Sequence, residues 1–133
     1  MKLPIQIDMN DAAPLYHQIE VQLRALIMDG RLADGMLLPS NRELANDLGC
    51  SVITIRRVYQ DLESEGLLRT RQGTGTYVAP VTANERDRFR KDAVLAAFRK
   101  AIAAGLQAHY TKQELADLFH EAMHEQKAEG GTR

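Results

Sequence analysis

Arg42, Arg56, Arg57 and Arg71 are the side chains of this 133-residue chain whose type and setting suggest chemistry. A guanidinium presents five donors in a planar fork, so it can meet guanine O6 and N7 together or hold a phosphate. Arg56 and Arg57 share a stretch with Val52, Ile53 and Gln60, and Ile55, Val58, Tyr59 and Leu62 fall at helical spacing on the opposite side. Burying that apolar side turns Val52, Ile53, Arg56, Arg57 and Gln60 toward solvent. Two β-branched apolar residues beside two arginines solvate a helix poorly. They suit the edges of base pairs, where an aliphatic group can pack on a thymine methyl.

The elements that must position these residues are legible on either side. Ser40 with Glu43 three residues on forms a capping box, which starts a short helix carrying Asn41 and Arg42 near its outward N-terminal end. Leu44, Ala45 and Leu48 face inward, and Gly49 closes the helix in a tight turn. Ser51 caps the second helix, and Glu63-Ser64-Glu65-Gly66 ends it. Two alternating strands follow, over 68–71 and 76–78, joined by Gln72-Gly73-Thr74-Gly75 and flanked by Arg69 and Arg71. Helix, turn, helix and hairpin in that order are the layout of a winged helix-turn-helix, which lays its second helix in the major groove of DNA. Gly73-Thr74-Gly75 lacks the strand-loop-helix setting and the lysine of a nucleotide site, so it reads as a wing tip that can approach a sugar-phosphate chain.

Upstream, residues 4–8 alternate like an edge strand or extended arm, and Pro14 opens a helix whose apolar face is Leu15, Ile19, Leu23, Leu26 and Ile27, ending at Gly30. A connector with a turn at Asp34-Gly35 leads to Ser40. Downstream, residues 79–84 read as a linker. A helix from Glu85 then presents Phe89, Val94, Leu95, Phe98, Ile102 and Leu106 on one broad face. The chain turns over 105–110. Thr111 and Glu114 make another capping box, and the last helix carries Leu115, Leu118, Phe119, Ala122 and Met123 before fraying at Gly130-Gly131. Two such helices cannot bury their apolar faces alone, so they require the winged domain or a second copy of the chain. Phe89, Val94, Leu95, Phe98, Ile102, Leu115, Leu118, Phe119 and Met123 are the expected dimerisation residues.

The expected fold is mainly α with a small β-wing: a winged helix-turn-helix over 1–80 and an α-helical hairpin over 81–133. Composition bounds the function. With 44% hydrophobic and 26% charged residues the chain can bury a core and stay in solution. No apolar run approaches a membrane span, and the start has no signal peptide, so a cytoplasmic protein without membrane partners is expected. A single cysteine, Cys50, excludes an internal disulfide and a multi-thiolate metal site. No nucleophile-base pair, metal signature or nucleotide loop appears, so neither catalysis nor a cofactor is expected. His120 and His124 have the i, i+4 spacing that can clasp a metal, beside Asp117 and Glu121, but no third ligand converges in sequence and a solvated helix face is the simpler reading. Charge cuts the other way: residues 1–80 hold 8 Lys and Arg against 10 Asp and Glu, net −2, which argues weakly against non-specific DNA binding and is the main support for the alternative, a winged-helix protein-interaction module.

Residues from about 14 to 78 resemble the DNA-binding domain of the GntR family of bacterial transcription regulators. The resemblance lies in Pro14-Leu15-Tyr16-x-Gln18-Ile19, Leu38-Pro39-Ser40-x-Arg42-Glu43-Leu44-Ala45, Leu48-Gly49, Thr54-Ile55-Arg56, Tyr59-x-x-Leu62-Glu63-x-Glu65-Gly66-Leu67 and Gly73-x-Gly75-Thr76-Tyr77-Val78. It implies operator contacts by Arg42 and Arg56, phosphate contacts by Ser51 and Thr54, and entry of Gly73 into the minor groove. Taken with the residues above, the expected DNA-binding set is Ser40, Asn41, Arg42, Ser51, Val52, Ile53, Thr54, Arg56, Arg57, Gln60, Arg71, Gln72, Gly73 and Thr74. Many members carry Arg-Thr where this chain has Val52-Ile53, so its operator should differ in bases or depend on thymine contacts and on shape. The short tail resembles the YtrA-type subgroup, which implies a homodimer on a palindromic operator, more often a repressor. At 53 residues the tail is too small for a private ligand pocket, so any small-molecule effector would bind at the dimer interface or between tail and winged domain.

Overall fold

In the computed structural model, which describes residues 2–130 and the side chains of 2–126, the expected caps define the elements. The order is α1 (Leu15–Met28), α2 (Asn41–Leu48), α3 (Val52–Ser64), β1 (Leu68–Arg71), β2 (Gly75–Val78), α4 (Ala83–Gln107) and α5 (Lys112–Gly130). The chain divides into two compact units, Met1–Asp87 and Arg88–Arg133.

The first unit is a winged helix. Ile19, Leu23, Leu26 and Ile27 of α1, Leu44 and Ala45 of α2, and Ile55, Val58, Tyr59 and Leu62 of α3 enclose one core, with Leu68 and Val78 of the hairpin sealing its side. Both interhelix ends are set by local chemistry. The Ser40 hydroxyl accepts from the Glu43 N–H at 3.1 Å while the Glu43 carboxylate accepts from the Ser40 N–H at 3.1 Å. That backbone bond holds the Glu43 carboxyl below its ordinary range. Gly49 takes φ 67°, the left-handed state that lets the chain reverse into α3. The Tyr59 hydroxyl then donates to the Pro39 carbonyl at 2.7 Å, tying the middle of α3 to the start of α2. Burial, reinforced by the Glu43 charge, pushes this phenol up and keeps it a donor.

Several details differ from the sequence reading. Pro14 is the cap before α1 rather than a residue of its first turn, and its carbonyl accepts from the N–H groups of His17 and Gln18. Helix α1 ends at Met28. Of the two readings of residues 4–8, edge strand or extended arm, the arm is the one that forms, with no strand partner among the described residues. Instead Gln22 takes both backbone groups of Gln6, at 2.9 and 2.6 Å, and Gln18 takes both of Asp8, at 2.9 and 3.0 Å, while Leu3 and Ile5 are buried. Two side-chain amides one helical turn apart thus stand in for a neighbouring strand.

The connector before α2 is also more than a turn: its N–H and C=O groups bond to β2, with Val78 N–H to the Met36 carbonyl at 2.9 Å and Leu38 N–H to the Thr76 carbonyl at 2.8 Å. This third edge runs so close to Gly75 that a side-chain carbon there would meet Leu37 Cδ1 at 2.8 Å. Thr82 caps α4, accepting from the Glu85 N–H at 3.1 Å, so the helix begins at Ala83, two residues earlier than expected. Arg86 in its first turn donates to the carbonyls of Ile27 and Met28, at 3.1 and 2.8 Å, satisfying the C-terminal end of α1.

In the second unit α4 reaches Gln107, and His109, at φ 71°, makes the reversal into α5. The Thr111 and Glu114 capping box forms in both directions, at 3.1 and 2.9 Å. Phe98 of α4 meets Phe119 of α5 edge to face at 5.6 Å between ring centres. Gly105 lies hard against the Leu115 side chain, where a Cβ would clash. Helix α5 runs to Gly130, the last described residue, and Gly131 lies outside the description. Among the described residues no helix is long and apolar enough to cross a membrane.

Candidate nucleic-acid interface

The outward face of the first unit is built from the starts of α2 and α3 and from the hairpin tip. Ser51 accepts from the Thr54 N–H at 3.1 Å, and the two hydroxyls lie 2.8 Å apart, so the first turn of α3 carries a paired hydroxyl cluster on its own cap. Beyond it Ile53, Arg56 and Gln60 are exposed along one stripe at i, i+3 and i+7. Ile53 is 74% exposed, the most open large apolar residue of the helix. Arg42 is exposed on the first turn of α2, whereas Asn41 beside it is half-buried. Among the described residues neither Arg42 nor Arg56 has a hydrogen-bond or ion-pair partner, so both forks are available to an external acceptor.

Two expected members of the face have neighbours that periodicity does not show. Val52 is half-buried and packs against the core, because it falls on the border between the two sides of α3 rather than on the outer one. Arg57 is drawn back toward α1: its guanidinium lies 3.5 Å from the centre of the Tyr16 ring and its Nε is 3.8 Å from Asp61. Stacking on an aromatic face holds the charge at the flank of α3. Tyr16, which sequence reasoning placed only within a motif, therefore positions Arg57. Its spacing from Arg57, 41 residues, hides that contact from any local pattern.

In the hairpin, Leu68 pairs with Val78 and Arg71 with Gly75, leaving Gln72, Gly73 and Thr74 as an exposed three-residue tip. The Thr74 N–H and hydroxyl both donate to the Arg71 carbonyl, at 3.0 and 3.1 Å, which stiffens the tip. Arg69 and Arg71 share the face of Tyr77, and the Arg71 guanidinium lies 5.4 Å from that ring. The Glu63 carboxylate accepts from the Thr70 N–H at 2.9 Å, which ties the end of α3 to the wing. Behind the face, Arg24 of α1 grips Glu65 through two bonds of 2.9 and 2.7 Å, which raises the Arg24 pKa further. Glu20 lies buried in the same seam, with Oε1 lacking a hydrogen-bond partner. Burial first, then the neighbouring Asp61, push its carboxyl up to about 7.

Cys50 is half-buried in the α2–α3 turn, and burial pushes its thiol up, which disfavours the reactive thiolate. His120 packs edge-on against Phe119, and among the described residues no three His, Cys, Asp or Glu gather as metal ligands.

Residues 15–78 match the model of the family described as bacterial regulatory proteins, gntR family. The chain is 33% identical over 131 residues to the HTH-type transcriptional repressor YtrA of Bacillus subtilis (strain 168), covering 97% of this chain and 98% of that one. Its fold is similar to that of a GntR family transcriptional regulator from Listeria monocytogenes, with a TM-score of 0.70, 26% identity, and 85% of this chain and 98% of the other covered. It is also similar to the DNA-binding domain of AraR in complex with operator ORX1, with a TM-score of 0.52 and 32% identity over 59% of this chain and 99% of that one. A winged helix with two uncommitted arginines beside its helix-turn-helix, matched along nearly its whole length to a regulator rather than to an enzyme, makes this chain a member of the gntR family of transcription regulators with a DNA-binding winged helix.

Proposed function

We propose that the chain is a cytoplasmic, homodimeric transcriptional repressor, with residues 1–80 as its DNA-binding domain and 81–133 as its dimerisation domain. Each winged helix lays α3 in the major groove of one half of a palindromic operator and rests its tip on the adjacent minor groove. Arg42 and Arg56 anchor the base and phosphate contacts, with Ser40, Asn41, Ser51 and Thr54 on the neighbouring backbone. Ile53 and Gln60 tune base choice, and Arg71, Gln72, Gly73 and Thr74 work the wing. Val52 and Arg57 act from the flanks: one supports the first turn of α3, the other carries positive charge beside it. The observation that carries the reading is the pair of guanidinium groups, Arg42 and Arg56, exposed beside a helix-turn-helix and without a partner among the described residues.

Dimerisation is supported by the tail, whose helices leave Val94, Phe98, Ile102, Leu118, Phe119 and Met123 exposed. A symmetric dimer covers such faces and sets the spacing of two recognition helices. Repression is supported by the full-length similarity to a repressor. A small molecule bound at the paired tails would release the operator by changing that spacing.

The reading is tested by incubating the protein with sheared genomic DNA of its own organism and sequencing the bound fragments at two salt concentrations. Enrichment of one palindromic site, lost at high salt, is the expected result, because contacts to phosphate release counterions. The net −2 charge of residues 1–80 favours a second reading, a winged helix that binds protein. Recovery of no site at either salt would bring that reading forward.

A further inference from the structure

Ile53 is the one feature of the α3 outer face that solvation leaves unexplained. It is 74% exposed in the first turn of the helix, although a charged or polar side chain there would cost the fold nothing. Val52 next to it does not share the anomaly, since it packs against the core. Arg56, on the same side one turn further on, extends without an ion-pair partner among the described residues. An apolar branched side chain and a free guanidinium one turn apart match two adjacent features of the major groove: a pyrimidine 5-methyl group and the O6/N7 edge of guanine. The first turn of a recognition helix is also the part that lies deepest toward base edges.

We propose that Ile53 is a specificity-determining residue that packs on a pyrimidine 5-methyl group in the operator, in the base step next to the one met by Arg56. This deepens the DNA-binding reading and rests on it. The 5-methyl can come from thymine or from 5-methylcytosine. Both present the same apolar knob to the groove, and both lose it in the unmethylated base.

The test starts from the duplex that the full-length protein selects out of a random-sequence pool. Each thymine of that duplex is replaced in turn by deoxyuridine, and separately each cytosine by 5-methylcytosine, and affinity is measured for wild type, Ile53→Ala and Ile53→Val. Because Ile53 is exposed, neither substitution threatens the fold. A single position per half-site should respond, with wild type losing about threefold to tenfold when the methyl is removed. Ile53→Ala should be indifferent at that position and Ile53→Val should keep part of the response. A response to thymine replacement assigns the methyl to thymine, and one to cytosine methylation assigns it to 5-methylcytosine. A selected duplex at which wild type and Ile53→Ala respond alike to every methyl overturns the role of Ile53 while leaving DNA binding intact. Selection of no duplex overturns both.

Discussion

Met1–Asp87 and Arg88–Arg133 are alike in apolar content along their helices and opposite in what they do with it. Every buried hydrophobic residue among those described, from Leu3 to Val81, belongs to the first unit. In the second, α4 contributes none, and Phe98 and Met123 stay 44% and 56% exposed. Three helices and a hairpin can enclose a core, whereas two antiparallel helices can share only a seam. The difference teaches that helices of similar apolar content leave those side chains exposed when only two of them pack, and bury them when three helices and a hairpin do. The first unit encloses its own core.

The largest expected effect separates the units. Phe98→Glu places a charge in the exposed seam of the tail and should raise the dimer dissociation constant by about a hundredfold or more. Sedimentation would show a monomer, while the helical signal and the melting of the first unit stay unchanged. A dimer that persists would break the comparison, because the apolar tail would then need no partner.

A smaller effect should be confined to the first unit. Glu20 has its carboxyl raised from an ordinary value of 4.5 to about 7 by burial and by Asp61. Its folded state therefore holds a proton that the unfolded chain releases between those values. This contribution to stability is complete below about pH 4.5, declines as pH rises through that window, and is gone above about 7. Glu20→Gln removes the dependence, so the variant should gain on wild type by about 1 to 3 kcal/mol between pH 5 and pH 8. Denaturant melts at the two pH values check this. An unchanged difference would mean that the buried carboxyl is not what titrates.

The smallest effect sharpens the picture of the helix start that bears Arg42. Ser40→Ala deletes one half of the capping box and should cost about 1 kcal/mol. The loss should appear in thermal melts with no change in sedimentation. A loss of dimer instead would place the assembly surface in the winged helix.

How far the sequence alone could be read follows from the range of each interaction. The capping boxes Ser40–Glu43 and Thr111–Glu114 span three residues and form as expected, and Ser51 caps α3 as read, through the Thr54 N–H. The buried side of α3 was likewise legible, since Ile55, Val58, Tyr59 and Leu62 repeat at one helical period. What escaped was set by tertiary neighbours. Periodicity assigned Val52 outward, but the core reaches it; Arg57 is exposed as expected, while its guanidinium stacks on Tyr16, a contact periodicity does not show. The clamp of Gln18 and Gln22 on the arm joins residues 10 and 16 apart, a separation no local pattern records. Buried Glu20 was invisible for the same reason: its helix face is defined by Asp61 of α3.

The central claim, that Arg42 and Arg56 read an operator from this face, is tested most directly by titrating the selected duplex and a shuffled one with wild type, Arg42→Ala and Arg56→Ala. Both variants should fold as wild type and bind the selected duplex about 1 to 3 kcal/mol more weakly, with Arg56→Ala also losing preference over the shuffled sequence. Equal affinity and equal preference in all three proteins would contradict the account.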